Sequence, residues 1–249
     1  MRSLIIANWK CNPSTFKEAK ILFNSLKKRL KKIRNVEVVI CPPFVYLSSS
    51  KFQVLSFKLG AQDVFWEERG AFTGEISSKM LKDLGVEYII LGHSERRQIL
   101  KETDEMINKK IKATLNNKLK SILCIGETEE ERKEGKTFEI LKNQIEKALS
   151  NLQTYKLRNL IIAYEPIWAI GSGKPCQVNE AMTAALFIKK LISHLYNQKI
   201  GRSIRILYGG SVNSLNASNY IREAKMDGLL IGGVSLNSKE FVKIIKQLN

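Results

Sequence analysis

Short apolar runs alternate with helical patterns eight times along this 249-residue chain, and that alternation limits the folds open to it. The strand-like runs cover 4–7, 36–40, 57–61, 88–91, 121–125, 160–163, 204–208 and 228–231. Most are continuously apolar, which suits parallel strands buried on both faces. Helical patterns separate them, clearest at 14–34, 77–85, 103–117, 129–152, 177–197, 213–224 and 237–248, with a weak one near 44–52. Eight strand–helix units in about 250 residues predict a closed (β/α)8 barrel of parallel strands. An open doubly wound sheet would need a glycine-rich fingerprint after its first strand, and Asn8-Trp9-Lys10-Cys11-Asn12 is not one. No linker, low-complexity stretch or repeat marks a second domain, so 1–249 is expected to form a single barrel.

Composition narrows the function classes. Hydrophobic residues make up 44% and charged residues 26%, ordinary values for a soluble globular chain. No apolar run reaches the roughly 18 residues of a membrane span. The opening Met1-Arg2-Ser3 leads into Leu4-Ile5-Ile6-Ala7, too short for the apolar region of a signal peptide, so a cytoplasmic location is expected. Cys11, Cys41, Cys124 and Cys176 show no paired ligand spacing, which argues against a zinc site or a disulfide framework. The formal charge of +17 raises nucleic acid as a partner. Against it, 30 of the 41 basic residues are Lys and they are dispersed. The densest run, Lys27-Lys28-Arg29-Leu30-Lys31-Lys32, lies opposite an apolar helical face of Phe16, Ala19, Phe23, Leu26, Leu30 and Ile33. No nucleic-acid or membrane partner is expected.

Polar residues gather where the strands end. Asn8 and Lys10 follow the first strand, Gln62 the third, His93 the fourth and Glu165 the sixth. In a barrel all of these face one mouth, the C-terminal rim where active sites form. Glu165 is followed by Pro166-Ile167-Trp168-Ala169-Ile170-Gly171-Ser172-Gly173-Lys174, an apolar segment bracketed by proline and glycine. Such a flap can exclude water beside a lone carboxylate, which suits a general base. Gly209-Gly210-Ser211 and Gly232-Gly233 follow the last two strands, where backbone N–H groups can approach a phosphate. His93 stands where a strand gives way to a helix, whose positive end favours a neutral, hydrogen-bond-donating imidazole. Lys10 can hold a phosphate ester or a developing oxyanion. The other histidine, His194, falls within a helix and reads as structural.

Taken together, Asn8-Trp9-Lys10, Ala71-Phe72-Thr73-Gly74-Glu75, Gly92-His93-Ser94-Glu95-Arg96-Arg97, Cys124-Ile125-Gly126-Glu127, Tyr164 to Lys174 and Tyr208-Gly209-Gly210-Ser211 resemble the motifs of the triosephosphate isomerase family. The match runs in order from the first strand to the last. It implies interconversion of dihydroxyacetone phosphate and glyceraldehyde 3-phosphate through an enediol(ate), in glycolysis and gluconeogenesis, with no cofactor and no metal. On the family's known scheme, taken over from it, Glu165 is the base and neutral His93 the electrophile, with Asn8 and Lys10 stabilising the oxyanion. Phosphate would rest on Gly171, Ser211, Gly232 and Gly233 beneath a 166–175 lid. The resemblance further implies Glu95 as a buried partner of Lys10, Cys124 as a thiol packed behind Glu165, and a homodimer made through the loop around Thr73.

The chain departs from the family pattern at Ser172, where Thr is usual, at Asp63 for Asn, and at Ala7 for a frequent Gly. Its lid ends in Lys174-Pro175-Cys176, where proline restricts φ. Another phosphate-handling barrel would need different strand-end residues. A barrel that only binds phosphorylated ligands would not need a base.

Overall fold

A computed structural model describes residues 2–31, 33–48 and 57–249. Eight parallel strands close into a barrel in sequence order, with the eighth returning to pair with the first. They are β1 (Ser3–Asn8), β2 (Val36–Cys41), β3 (Lys58–Ala61), β4 (Val86–Leu91), β5 (Lys120–Ile125), β6 (Leu160–Tyr164), β7 (Arg205–Tyr208) and β8 (Gly228–Ile231). Each lies within two residues of an expected run. The (β/α)8 expectation holds.

Helices α1 (Phe16–Leu30), α2 (Phe44–Leu47), α3 (Ser78–Asp83), α4 (Ser94–Ile99) and α5 (Asp104–Asn116) follow the first four strands. The weak helix expected near 44–52 is seen as α2, and its 49–52 portion lies outside the described residues. The helix expected over 129–152 is corrected: it divides into α6 (Glu129–Lys133) and α7 (Thr137–Ala148). Gly135 adopts φ +71 between them, a left-handed conformation that stops a helix after its last turn. The remaining helices are α8 (Val178–Leu195), α9 (Gln198–Ser203), α10 (Ala217–Arg222) and α11 (Ser238–Leu248).

Local chemistry explains where α1 begins and which face it buries. Thr15 accepts from Glu18 N–H while the Glu18 carboxylate accepts from Thr15 N–H, satisfying two otherwise orphaned donors. Ala19, Phe23, Leu26 and Leu30 recur at three- and four-residue steps and are buried. Lys27, Lys28 and Lys31 are exposed, so the densest basic run points to solvent.

Alternation along the strands builds an inner core. Leu4 and Ile6, Val39 and Cys41, Tyr88 and Ile90, Ile122 and Cys124, and Ile161 and Ala163 belong to one cluster with Leu207 and Leu230. Their neighbours, such as Ile5, Ala7, Ile89 and Ile162, pack instead in the larger cluster under the helices. Side chains two apart share a face, so the next inward positions are Asn8 after Ile6, Glu165 after Ala163, Gly209 after Leu207 and Gly232 after Leu230. Strand register alone aims Glu165 and Asn8 into the mouth and leaves space opposite them.

The opposite end of the barrel is closed by charge. Glu37 accepts from Tyr88 Oη at 2.5 Å and from Arg205 Nη1 at 3.1 Å, and Lys58 Nζ lies 3.2 Å from it. Burial by itself raises the Glu37 pKa, but the hydrogen bonds from Tyr88, Arg205 and Lys58 overcome it and bring the value to about 2. A carboxyl lowered from 4.5 adds stability that is complete above about pH 4.5 and disappears as pH falls toward about 2. Allowing for a side chain 20% exposed, Glu37→Gln is expected to cost about 2 kcal/mol at pH 7. Urea unfolding of both proteins should show the gap shrinking toward pH 3. A gap that is flat with pH would mean that Glu37 contributes through packing and not through its charge.

Candidate active site

Glu165 reaches the mouth because β6 ends beneath it. Its backbone N–H donates to Ile125 O at 2.7 Å, continuing the β5–β6 ladder by one residue. Two glycines form walls around it. A Cβ at Gly126 would stand 1.8 Å from Glu165 O, and one at Gly209 would stand 2.7 Å from Glu165 Cγ. Both positions require glycine because the neighbouring backbone or side chain occupies the space. Behind the carboxylate lies Cys124, whose thiol pKa is pushed well up by burial and then by the Glu165 charge. It therefore stays a neutral packing group, as expected from the resemblance.

His93 caps α4. Its Nδ1 accepts the Glu95 N–H at 3.2 Å. That contact fixes the ring's orientation and leaves Nε2 as the nitrogen turned toward Glu165. Nε2 lies 3.3 Å from Glu165 Oε1. The other Glu165 oxygen accepts from Ser94 N–H at 3.2 Å. His93 and Glu165 are 6% and 2% exposed, so carboxylate and imidazole face each other nearly out of water. The Glu95 carboxylate is 3.6 Å from Nδ1, beyond hydrogen-bond reach.

Lys10 sits in a tight loop after β1 with φ 55, a left-handed conformation that non-glycine residues seldom adopt. Two contacts hold it there. Its N–H donates to Asn8 Oδ1 at 3.0 Å, and its carbonyl accepts from Gln62 Nε2 at 2.8 Å. The Lys10 ammonium bridges to Glu95 Oε1 at 2.5 Å, the pairing the resemblance implied, but the Glu95 side chain is 44% exposed and not buried as expected. A Cβ at Gly232 would come within 3.1 Å of Lys10 Cε, so the glycine lets the lysine stem lie across the mouth.

These groups line one cavity of about 170 Å³. Asn8, Lys10, His93, Glu165, Gly171, Ser211, Gly232 and Gly233 all border it, so every site residue expected from the sequence is brought together. Gly233 opens the short 3-10 turn Gly233–Leu236, whose first residues border the cavity. Arg97 was not singled out by the sequence reading. It donates to Gly92 O at 2.7 Å and to Cys124 O at 3.2 Å, and pairs with Asp104 at 2.6 Å, tying α4 to β5 beneath the site. The buried Glu127 carboxylate was also missed as an anchor: it accepts from Tyr164 Oη at 3.1 Å and from Trp168 Nε1 at 2.9 Å. Burial raises its pKa more than these hydrogen bonds lower it.

Gly209→Ala tests the wall directly. The added methyl should displace the Glu165 side chain and leave the barrel intact. Turnover of a triose phosphate is expected to fall roughly 10²-fold, since about 1 Å of misplacement costs that much. Circular dichroism should be unchanged. Parental turnover in this variant would show that the carboxylate position is not critical.

Comparison with known proteins agrees with this geometry. The family model for triosephosphate isomerase matches residues 3–248. The triosephosphate isomerase of Alkaliphilus oremlandii is 49% identical over 98% of this chain and 99% of its own length. Those of Dictyoglomus turgidum and Aquifex aeolicus are 43% and 45% identical, with the same coverage of both chains. The chain belongs to the triosephosphate isomerase family.

Proposed function

We propose that this chain interconverts dihydroxyacetone phosphate and D-glyceraldehyde 3-phosphate by moving one proton between adjacent carbons. The single observation that carries the mechanism is Glu165 Oε1 facing His93 Nε2 across 3.3 Å at the floor of the cavity. Glu165 takes the proton from the carbon beside the carbonyl and returns it to the neighbouring carbon. His93, donating from Nε2, polarises the carbonyl and then serves the second oxygen of the enediol(ate). Lys10 and Asn8 supply further positive potential to that oxyanion. This division of labour is the family's own known scheme, and its residues are carried here position by position. The ester phosphate rests on the backbone of Gly171, Ser211, Gly232 and Gly233. Closure of the 166–175 segment excludes water, which protects the enediolate from losing its phosphate. No metal or organic cofactor enters the scheme.

A homodimer forms part of the same reading. The loop carrying Thr73 is exposed, with Phe72 43% exposed beside it. Next to the site lies a second cavity of about 260 Å³ that includes Cys11, Glu95, Ile99 and Leu100. Thr73 of a second copy would enter it, covering apolar Ile99 and Leu100. Sedimentation should give twice the chain mass; a monomer with full activity would contradict this assembly. The enzyme is assigned to the cytoplasm, which suits its four free thiols. Activity confined to another cell fraction would contradict that. Among the described residues no helix is long and apolar enough to cross a membrane.

A coupled assay with glyceraldehyde 3-phosphate tests the function, with Glu165→Asp as the mechanistic control. The shortened side chain should keep the fold and lose roughly 10²-fold or more in kcat. Near-normal turnover in that variant would remove Glu165 as the base.

A further inference from the structure

The segment 166–175 has two ends, and each is anchored in its own way. At the first, Ile167 N–H donates to Glu127 O at 3.0 Å, and the Trp168 indole donates to the Glu127 carboxylate. At the second, Cys176 is clamped by its backbone: its N–H donates to Tyr208 Oη at 3.1 Å, and its carbonyl accepts from Tyr220 Oη at 2.6 Å. The Tyr208 and Tyr220 rings stack 3.8 Å apart, which stiffens that clamp. Between the two ends, Gly171 and Gly173 adopt φ +66 and +72 and the chain is exposed. The anchors belong to different parts of the barrel, one to the loop after β5 and the other to β7 and α10.

A side-chain path joins them from outside. The Arg132 guanidinium, on α6, lies 4.0 Å from the centre of the Trp168 ring. The same group bridges to Glu180 Oε1 on α8 at 2.7 Å. The other Glu180 oxygen lies 3.5 Å from Cys176 Sγ, whose one hydrogen has Gln177 O as a second acceptor at the same distance. The path Trp168–Arg132–Glu180–Cys176 thus runs from one hinge to the other without passing through the exposed stretch between them. We propose that Arg132 and Glu180 are positioning residues that couple the two hinges, so that the first cannot swing without loading the second. The proposal rests on the reading of 166–175 as the lid over the site.

Magnitudes decide what this coupling does. Arg132 and Glu180 are 40% and 41% exposed, and a bare surface pair of that kind contributes little to folding. Here the guanidinium is also held against an indole face, and the carboxylate is shared with a thiol. Each added contact removes side-chain freedom that a free surface pair would have to lose on forming. The effect therefore falls on lid geometry rather than on overall stability. Cys176 gives this chain a thiol donor at the hinge, and its pKa is raised by burial and by the Glu180 charge, so it keeps the proton it donates.

The test is a double-mutant cycle of Arg132→Met, Glu180→Gln and the pair. Three readings are taken on the full-length protein: kcat and KM, affinity for a phosphoglycolate-type enediolate mimic, and the change in tryptophan emission when the mimic binds. Each single variant is expected to lose about three- to tenfold in kcat and in mimic affinity, with melting close to the parent. The double variant should lose no more than the worse single, because both substitutions break one path. Arg132→Lys, which keeps the charge but not the planar stack, should recover only part of the loss. Additive losses, or variants with parental kcat and mimic response, overturn the coupling. A loss of melting temperature with kcat and mimic affinity intact also overturns it, because the pair would then be a structural contact only. If the unsubstituted protein itself gave no emission change and no mimic binding, the lid reading would fail instead.

Discussion

The site depends on a backbone hydrogen bond that a side chain accepts: the Glu95 N–H donating to His93 Nδ1. With Nδ1 engaged by that N–H, Nε2 is the ring nitrogen left to face the cavity. That nitrogen faces Glu165 Oε1, and the next residue of α4, Ser94, gives its N–H to the other oxygen of the same carboxylate. One short helix therefore contacts both side chains. Arg97, also on α4, ties that helix to the carbonyls of Gly92 and Cys124.

The barrel supplies the rest by register. Parallel strands with inward residues at every second position carry apolar side chains up to Ala163, Ile6, Leu207 and Leu230, and then change chemistry by one step. Two of the following inward positions are polar, Asn8 and Glu165, and two are glycine, Gly209 and Gly232. The glycines act as absences: a methyl at Gly209 would strike Glu165, and one at Gly232 would press on Lys10. Function at the mouth and stability at the floor are kept at opposite ends. The Glu37 cluster below pairs one carboxylate with Lys58, Arg205 and the Tyr88 hydroxyl, and none of the four lines the cavity.

How much of this could be read from residues alone differs by feature. The eight strands were legible because continuous apolar runs bounded by polar strand-end residues leave little choice. The convergence of Asn8, Lys10, His93 and Glu165 followed from the barrel's geometry, and the structure brings them to one cavity. Gly135 was overlooked as a helix stop, since its surroundings are strongly helix-forming and only its positive φ divides α6 from α7. The hinge path was illegible for another reason. Cys176 and Glu180 are one helical turn apart, but Arg132 and Trp168 bear no regular spacing to them, and only the contacts between α6, the lid segment and α8 complete the path. Contacts between separate elements leave no mark on local pattern.

The proposed mechanism requires His93 to be neutral, with its hydrogen on Nε2, while it faces the carboxylate. Nitrogen-15 NMR of imidazole-labelled protein at pH 7, with the enediolate mimic bound, measures that directly. The account predicts for His93 a hydrogen-free Nδ1 and a protonated Nε2. An imidazolium with hydrogen on both nitrogens, or the opposite tautomer, would contradict it.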